Sequence, residues 1–321
     1  MKILSTEQIR KADNFTIKNE PISSIDLMER ASQSCTDWII KNFNKNQKFK
    51  IFAGQGNNGG DGLAIARQLK EKNFFIEVFI MKISENYSDD FKINLLRLEK
   101  QNKVKINFLE NESNFKEINK NDIIIDALFG SGLKRKLENF PAKILNFLNN
   151  LEAKIISIDI PSGLFAENNE KTIYDKEIPI IKANFTLSFQ FPKLSFFFPE
   201  TEKFVKEYFI LNISLHKKFI ENIETKNFFL KKDFIFNKIK KRNRFSHKGN
   251  FGHGLLIAGS YGKFGACVLA AKSCLKTGIG LLSTQTPKFC YSIIQISVPE
   301  SMVILDNSMV WKKIPKMLWK F

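Results

Sequence analysis

The sequence predicts an α/β fold class: a doubly wound, mostly parallel sheet, followed by a shorter α/β segment. Short β-rich runs alternate with amphipathic segments up to about residue 215, a pattern typical of a parallel sheet covered on both faces. A strand leads through a glycine-rich turn into a helix twice, near residues 54 and 259. Functional sites of such folds lie at the carboxyl ends of the strands.

Two helices are expected before the first strand of the sheet. Ser5 is a candidate cap of the first, and the second is predicted to start near Ser23 or Ser24 and to run to Phe43. Seven strands are then predicted, at Lys50–Ala53, Phe75–Met81, Lys105–Phe108, Ile123–Ala127, Ile155–Asp159, Phe185–Phe189 and Tyr208–Leu211. The predicted helices between them are Asp61–Lys72, Phe91–Lys100 and Ala142–Asn150.

Charged, irregular sequence over residues 216–243 predicts a linker between a domain at 1–215 and a second segment at 244–321. A length of 321 residues suits two domains. In the second segment we predict a strand at Leu255–Ala258, a helix at Ala266–Lys276 and a strand near Leu281–Thr284. That segment is shorter than a usual domain of this class, so we expect it to be incomplete.

The overall composition argues against several classes of protein. The net charge is +17, but the lysines are spread along the chain without an aromatic-interleaved RNA motif, so we expect no specific nucleic-acid partner. The four cysteines and three histidines show no metal-ligand spacing. An apolar signal region and a membrane-spanning run are both missing from the sequence, which predicts a cytoplasmic protein with no membrane partner.

The glycine-rich turn after the first strand is the most informative motif. Five glycines fall within the nine residues of 54–62. They are expected to let backbone N–H groups approach a phosphate at the positive end of the following helix. Asn57, Asn58 and Asp61 add side-chain oxygens, which suggests that more than a phosphate is bound.

Two further strand ends carry polar residues. One continues from Asp126 into a glycine-containing loop, and the other runs from Asp159 to Ser162 and Gly163. Because the ends of parallel strands meet at one edge, these loops are expected to converge. A buried aspartate is costly without a cationic or hydrogen-bonding partner, so Asp126 and Asp159 should each have one.

Four blocks in order resemble the NAD(P)H-hydrate epimerase family, which makes up the N-terminal half of bifunctional NAD(P)H-hydrate repair enzymes. They are Glu7–Arg10 with Leu27–Ala31, Gly56–Gly62, Asp126–Leu133 and Asp159–Leu164. The resemblance covers about residues 1–215 and implies a Rossmann-like fold. Residues 244–280 resemble the start of the ADP-dependent NAD(P)H-hydrate dehydratase, which has a ribokinase-like fold.

The resemblance implies an isomerase for metabolite repair, which interconverts the R and S forms of NADHX or NADPHX at C6 of the nicotinamide ring. It implies a hydrate site lined by Asn57, Asn58, Gly59, Gly60, Asp61, Gly130, Ser131, Gly132, Leu133, Lys134, Arg135, Lys136 and Asp159. It also implies a potassium ion held by Asn58, Asp126 and Ser162. Oxygen ligands of this kind suit a hard cation.

Asp159 is the candidate catalytic acid and base, with a pKa expected to be raised by a partly dry pocket. Ala266 matches a hydrate-binding position of the dehydratase. Because one matching position does not form a complete binding site, we expect no dehydratase (lyase) activity. ADP or ATP would be a cofactor only of a complete dehydratase domain. A second copy of the chain is a candidate partner.

Two other functions remain open. An NAD(P)-dependent oxidoreductase needs an acidic residue at the end of the second strand, whereas Glu77 lies in the middle of that strand. A non-catalytic nucleotide-binding protein would keep the same pocket without turnover.

Overall fold

The computed structural model describes residues 1–110, 118, 120–173, 179–239 and 241–306. The chain forms two compact units, Met1–Lys232 and Asp233–Phe321. The boundary between them falls inside the predicted linker at 216–243. The tail from Trp311 onwards lies outside the described residues.

The first unit contains alternating strands and helices. Its strands are β1 (Lys2–Ile3), β2 (Lys48–Ala53), β3 (Phe75–Met81), β4 (Lys105–Leu109), β5 (Ile123–Ala127), β6 (Lys154–Ile158), β7 (Ala183–Phe189), β8 (Val205–Leu211) and β9 (Asn227–Phe228). Its helices are α1 (Thr6–Asn19), α2 (Ser24–Asn42), α3 (Asn57–Glu71), α4 (Asp89–Gln101), α5 (Asn139–Asn150), α6 (Glu170–Ile173) and α7 (Lys217–Asn222).

Seven of these strands form one parallel sheet, in the order β4-β3-β2-β5-β6-β7-β8. The predicted α/β class is therefore confirmed. The strand order changes direction between β2 and β5, the position where sites of doubly wound folds form. Both strands end at the same edge, because Ala53 pairs with Ala127.

The sheet is buried on both faces, which explains its nearly continuous apolar strands. In β2, Ile51 and Ala53 pack into one core cluster, and Phe52 between them packs into the other. Alternate side chains of a strand point to opposite faces, so a single run feeds both cores. Helices α2, α3 and α4 contribute to the first cluster, and α5 contributes to the second.

The N-terminal helices match their predicted caps. Ser5 accepts a hydrogen bond from the Gln8 backbone N–H, and the Gln8 side chain accepts one from the Ser5 N–H, which makes a capping box. Ser23 caps α2 through the N–H of Asp26. These local hydrogen bonds satisfy amides at the helix starts that would otherwise lack partners.

Helix α3 begins at Asn57, four positions before its predicted start at Asp61. The sequence predicts that the glycines of this turn allow the approach of a phosphate, but several of them also pack against protein. A Cβ at Gly59 would stand 1.8 Å from the carbonyl oxygen of Gly54. A Cβ at Gly62 would stand 2.7 Å from the Cβ of Ala127. The glycines thus let α3 start directly against the sheet.

We expect Gly59→Ala to destabilise the first unit by several kcal/mol, because backbone meets backbone at that contact and neither side is a flexible side chain. Gly56→Ala is the matched control: it lies in the same turn, and a Cβ there meets nothing within 4 Å. Thermal unfolding of both variants measures the difference. Equal melting temperatures would contradict the packing role of Gly59.

The first part of the predicted linker is ordered and belongs to the first unit. Strand β9 pairs antiparallel with β1, and Phe219 and Ile220 of α7 pack on the core cluster that holds Ala12 of α1. The linker prediction was therefore wrong for these residues. Their apolar positions are too few to show a helical period in the sequence.

The second unit contains a parallel sheet in the order β10-β11-β12. Its elements are α8 (Lys232–Phe236, which starts at the last residue of the first unit), β10 (His253–Ile257), α9 (Phe264–Lys276), β11 (Leu281–Pro287), α10 (Tyr291–Ser297) and β12 (Met302–Asp306). The predicted strand–turn–helix–strand order is confirmed. Within the described residues, no helix is long and apolar enough to cross a membrane.

Candidate functional site

A cavity of about 940 Å³ lies at the carboxyl edge of the first unit's sheet. This volume is in the range of small-molecule sites. Its polar walls include one face of α1, the turn between β2 and α3, and the loops that follow β5 and β6, and residues of α2, of the segment after β3 and of the segment after β8 add to the lining. The lining includes Arg10, Asp13, Gly56, Asn57, Asn58, Asp61, Leu128, Phe129, Gly130, Ser131, Gly132, Leu133 and Asp159.

Gln55 fixes the turn between β2 and α3. Its side-chain oxygen accepts hydrogen bonds from the N–H groups of Ile83 and Ser84, each 3.0 Å away, and its amide donates to the Ser84 carbonyl oxygen. The turn is thus attached to the loop after the neighbouring strand. Gly56 caps α3 without a side chain, so the start of this 15-residue helix stays open to the cavity. A helix N-terminus favours an anion.

Asp126 and Ser162 meet, as the sequence predicted. The Ser162 hydroxyl donates to Oδ1 of Asp126 at 2.5 Å, and the Ser162 N–H donates to Oδ2 at 2.9 Å. The Ser157 hydroxyl adds a bond of 2.7 Å from the neighbouring strand. Burial raises the pKa of Asp126, although the hydrogen bonds from Ser162 and Ser157 act in the opposite direction. Asp126 is therefore a fully buried carboxyl that accepts hydrogen bonds from hydroxyl and backbone amide groups.

Asn58 lies next to the loop that follows β5. A Cβ at Gly130 would stand 3.3 Å from Cγ and 3.5 Å from Oδ1 of Asn58, so the Asn58 side chain packs closely against this loop. The same loop bonds to Ser162, because the N–H of Phe129 donates to its hydroxyl at 2.8 Å. The Asn58 amide nitrogen is buried and has no hydrogen-bond partner among the described residues. A buried unpaired donor at a cavity wall points towards a ligand.

Asp159 forms an ion pair with a buried lysine. Lys193, which is 1% exposed, places Nζ 2.7 Å from Oδ1 of Asp159. Burial alone would raise the pKa of Asp159, but the charge of Lys193 and hydrogen bonds from Lys193 and Ser131 hold it below its ordinary value. The expectation of a raised pKa was therefore wrong. The sequence could not show that Lys193, 34 positions later, reaches this carboxylate.

The backbone of Asp159 is strained as well. Its φ is +65°, a left-handed conformation that few residues other than glycine adopt. Its N–H donates to the Leu187 carbonyl oxygen at 2.7 Å, which ties it to the neighbouring strand. Strained conformations of this kind concentrate at functional sites.

Two of the other aspartates that line the cavity, Asp61 and Asp13, have raised pKa values. Asp61 is buried, and burial together with the charge of Asp159 raises its pKa well above the ordinary range. Asp13 is half-buried, and burial and the charge of Asp159 raise its pKa to about 6. The cavity thus holds a carboxylate that is stabilised in its charged form, Asp159, together with two carboxyls that favour protonation, Asp61 and Asp13.

The structure leaves several predicted residues away from the cavity. Gly59 and Gly60 are buried inside α3. Lys134 and Arg135 are exposed, and with Lys136 they stand outside the lining of the cavity. Ala266 belongs to the second unit, where it is exposed in the first turn of α9. The role of each in binding remains a prediction.

Three residues of the cavity region had no signal strong enough to select them: Arg10, Asp13 and Lys193. Helix α1 itself was predicted, and Arg10 and Asp13 are three apart on one face of it. What the sequence did not show is that this face covers the carboxyl edge of the sheet. Nη2 of Arg10 would stand 2.8 Å from a Cβ at Gly132, which places its guanidinium against the loop after β5.

Comparisons with known proteins identify the family of the first unit. Residues 24–195 match the family described as "YjeF-related protein N-terminus". A protein of Anaerococcus prevotii named NAD(P)H-hydrate epimerase is 35% identical over 172 residues, which cover 51% of this chain and 76% of that protein. The bifunctional NAD(P)H-hydrate repair enzyme Nnr of Moorella thermoacetica is 28% identical over 311 residues, 95% of this chain. The chain spans 58% of that enzyme's length.

Among solved structures, the yeast protein ynu0 (YNL200c) superposes with a TM-score of 0.58 at 22% identity, over 71% of this chain and 96% of the yeast chain. This similarity supports the fold. The family match covers more than half of the 321 residues and includes the turn at 54–62 and the loops after β5 and β6. The chain therefore belongs to the YjeF-related protein N-terminus family.

Proposed function

We propose that the first unit epimerises NAD(P)H hydrate, interconverting the R and S forms of NADHX or NADPHX at C6 of the nicotinamide ring. The observation that carries the proposal is the cavity at the β2–β5 edge, where Asn58, Asp61 and Asp159 come together. Over 172 residues the chain is also 35% identical to a protein named for this activity. The cavity has the volume for a nucleotide-sized ligand.

The two ends of the ligand would meet different groups. The open N-terminus of α3 suits a phosphate, and the guanidinium of Arg10 supplies a charged partner for it. Asp159, with Ser131 donating to its Oδ2 at 3.4 Å, supplies the charge for the reacting ring.

The chemistry of the hydrate defines what the protein must do. C6 carries both a hydroxyl and the ring nitrogen, so it is a hemiaminal carbon. When an acid protonates the hydroxyl, the nitrogen lone pair expels water and leaves a planar iminium. Water that adds to the other face inverts the configuration. Lys193 lowers the pKa of Asp159 and so keeps it ionised, which leaves the carboxylate available to accept the proton of the incoming water.

A monovalent cation fits the oxygen atoms beside this site. Asp126 is a buried carboxyl, the Ser162 hydroxyl lies between it and the Phe129 carbonyl oxygen 3.2 Å away, and Asn58 stands against the same loop. Asn58, Asp126 and Ser162 would hold potassium, since a hard cation prefers oxygen ligands. When bound, the ion would supply positive charge to Asp126 and fix the loops after β5 and β6.

Asp126→Asn should therefore weaken the dependence of turnover on potassium and lower turnover by about 10-fold or more, as losses of groups around a metal ligand set do. Epimerisation is measured after exchange into potassium-free buffer and again on titration with KCl. Exposed Asp37→Asn is the matched control, since it removes one carboxylate from the surface of α2. A wild-type protein whose rate is indifferent to every monovalent cation would contradict the assignment.

The oxidoreductase alternative receives no support from the second strand. Glu77 lies in β3, where it pairs with Lys50 and, at 3.0 Å, with Lys105, and it accepts a hydrogen bond from Asn107. Its carboxylate is thus used within the sheet and does not reach the carboxyl edge, where a ribose would need it.

The decisive experiment incubates the purified chain with the pure R form of the hydrate and follows the appearance of the S form by chromatography, against the spontaneous rate. Faster interconversion supports the proposal. Binding without faster interconversion would favour the nucleotide-binding alternative. Hydride transfer to an oxidisable substrate would favour the oxidoreductase, and ADP-dependent loss of the hydrate would reveal the dehydratase activity that we do not expect.

A further inference from the structure

Helix α1 presents one continuous face to the cavity. Its lining residues follow a helical period: Thr6, Ile9, Arg10, Asp13, Asn14 and Ile17. The helix is held in place at both ends. The Thr6 hydroxyl donates to Oε1 of Glu167 at 3.0 Å, and the Thr16 hydroxyl accepts from the His216 N–H at 3.0 Å. This face is therefore a fixed wall of the site.

Asp13 is the one carboxyl on that wall. Among the described residues, none donates a hydrogen bond to its side chain. A carboxyl that lines a cavity without a protein partner is free to bond to a ligand. Asp159 lies on a different wall, after β6, and the two side chains are close enough for their charges to interact.

The reaction needs a group that starts protonated. Asp159 does not meet this need, because Lys193 favours its carboxylate. Asp61 is buried and already has a protein partner, because its Oδ1 accepts a hydrogen bond from the Ser32 hydroxyl at 3.3 Å. A group with a pKa of about 6, the value for Asp13, can both hold and release a proton near neutral pH.

We propose that Asp13, on the wall that α1 forms, is a catalytic residue that protonates the departing C6 hydroxyl; this rests on the proposed epimerase function. The Asp13 carboxyl gives its proton to the hydroxyl oxygen, the C6–O bond breaks as the nitrogen lone pair forms the C6=N1 bond, and water leaves. A second water attacks C6 from the other face, the π electrons return to N1, and the water's proton passes to Asp159. The two carboxyls then re-equilibrate with solvent, so atoms and charge balance.

The pH dependence follows from the groups that face Asp13: Asp159, Lys193 behind it, Asp61 on α3 and Arg10 on the same helix. The active form has Asp13 protonated and Asp159 ionised. Turnover should thus fall as pH rises above about 6, approaching a tenfold loss per pH unit. The folded state binds this proton more tightly than the unfolded state does, so the charge of Asp13 also destabilises the fold as pH rises from about 4 to above 6.

The test compares Asp13→Asn with Glu7→Gln, which removes an exposed carboxylate from the same helix. We expect Asp13→Asn to lose about 100-fold or more in turnover and to lose the fall above pH 6, while NADH binding persists and Glu7→Gln behaves as wild type. At pH 8 the melting temperature of Asp13→Asn should exceed that of the wild type, and at pH 4 the melting temperatures of the two proteins should coincide. A residue needed only for structure would show the opposite change in stability.

An active wild type with Asp13→Asn of unchanged rate and pH profile would overturn this inference and leave the epimerase function standing. An inactive wild type would remove the proposed function instead. Should Asp13→Asn fail to bind NADH, Asp13→Glu decides: pH-dependent turnover in that variant supports the role, and binding without turnover overturns it.

Discussion

Lys193→Met is expected to destabilise the first unit by about 3–5 kcal/mol at neutral pH, because it leaves the Asp159 carboxylate buried without its counter-charge. Lys193 is almost fully buried and its Nζ lies 2.7 Å from the carboxylate. Methionine fills a similar volume, so the lost charge is the main change. Hydrogen exchange of β6 and β7 peptides measures the free energy of opening in this unit alone.

The effect should depend on pH in a definite direction. The pKa of Asp159 is lowered in the folded chain, so the stabilisation from its ion pair is fully present above its ordinary value near 4 and is lost as pH falls below it. The difference between Lys193→Met and wild type should therefore shrink in acid. The double variant with Asp159→Asn should recover much of the loss. The control is Lys206→Met, which removes an exposed lysine. If Lys193→Met lost no more stability than this control, the stabilising role of the buried ion pair would be contradicted.

Asp159→Asn is expected to lower epimerase turnover by about 10²–10⁴-fold, because asparagine cannot accept the proton of the attacking water. Asparagine is among the few residues that tolerate the φ of +65° at this position, and its oxygen can still accept a hydrogen bond from Lys193. Asparagine leaves the buried Lys193 charge without a counter-charge, so this variant should also lose stability. Turnover and NADH binding are therefore compared below its melting temperature, where the chain is folded. Chromatography of the two hydrate epimers measures the rate.

The same surface control, Asp37→Asn, separates loss of a catalytic base from a general loss of negative charge. A second comparison, Asp159→Ala, should bind less well, since alanine lacks both the hydrogen bond and the tolerance for a left-handed backbone. Turnover of Asp159→Asn within about tenfold of wild type would contradict a role for Asp159 in proton transfer.

Much of the parallel sheet could be predicted because its strands are buried on both faces. Such strands are short apolar runs bounded by turns, and Phe75–Met81 and Ile123–Ala127 were predicted with the bounds that the structure has. The meeting of Asp126 and Ser162 was also predictable, because parallel strands bring their carboxyl ends to one edge. That inference needs only the strand assignments and no knowledge of the helices.

The sequence predicted the location of the glycine turn but explained only some of its glycines. Its position between strand and helix was correct, but the helix starts at Asn57, and Gly59 is required by contact with the Gly54 carbonyl. A close approach of two backbones produces no periodic pattern in a sequence. A glycine that it requires therefore cannot be distinguished, from the sequence, from a glycine required by the approach of a phosphate.

The sequence by itself determined the fold class, the order of the strands along the chain, the capped helix α1 and the aspartates at the strand ends, because these depend on local periodicity and local hydrogen bonds. Only the tertiary structure decided the charge state of those aspartates. Lys193 reaches Asp159 from 34 positions away, and α1 brings Asp13 over the same cavity. A pKa depends on burial and on charges a few ångströms distant, and neither is set until the chain has folded.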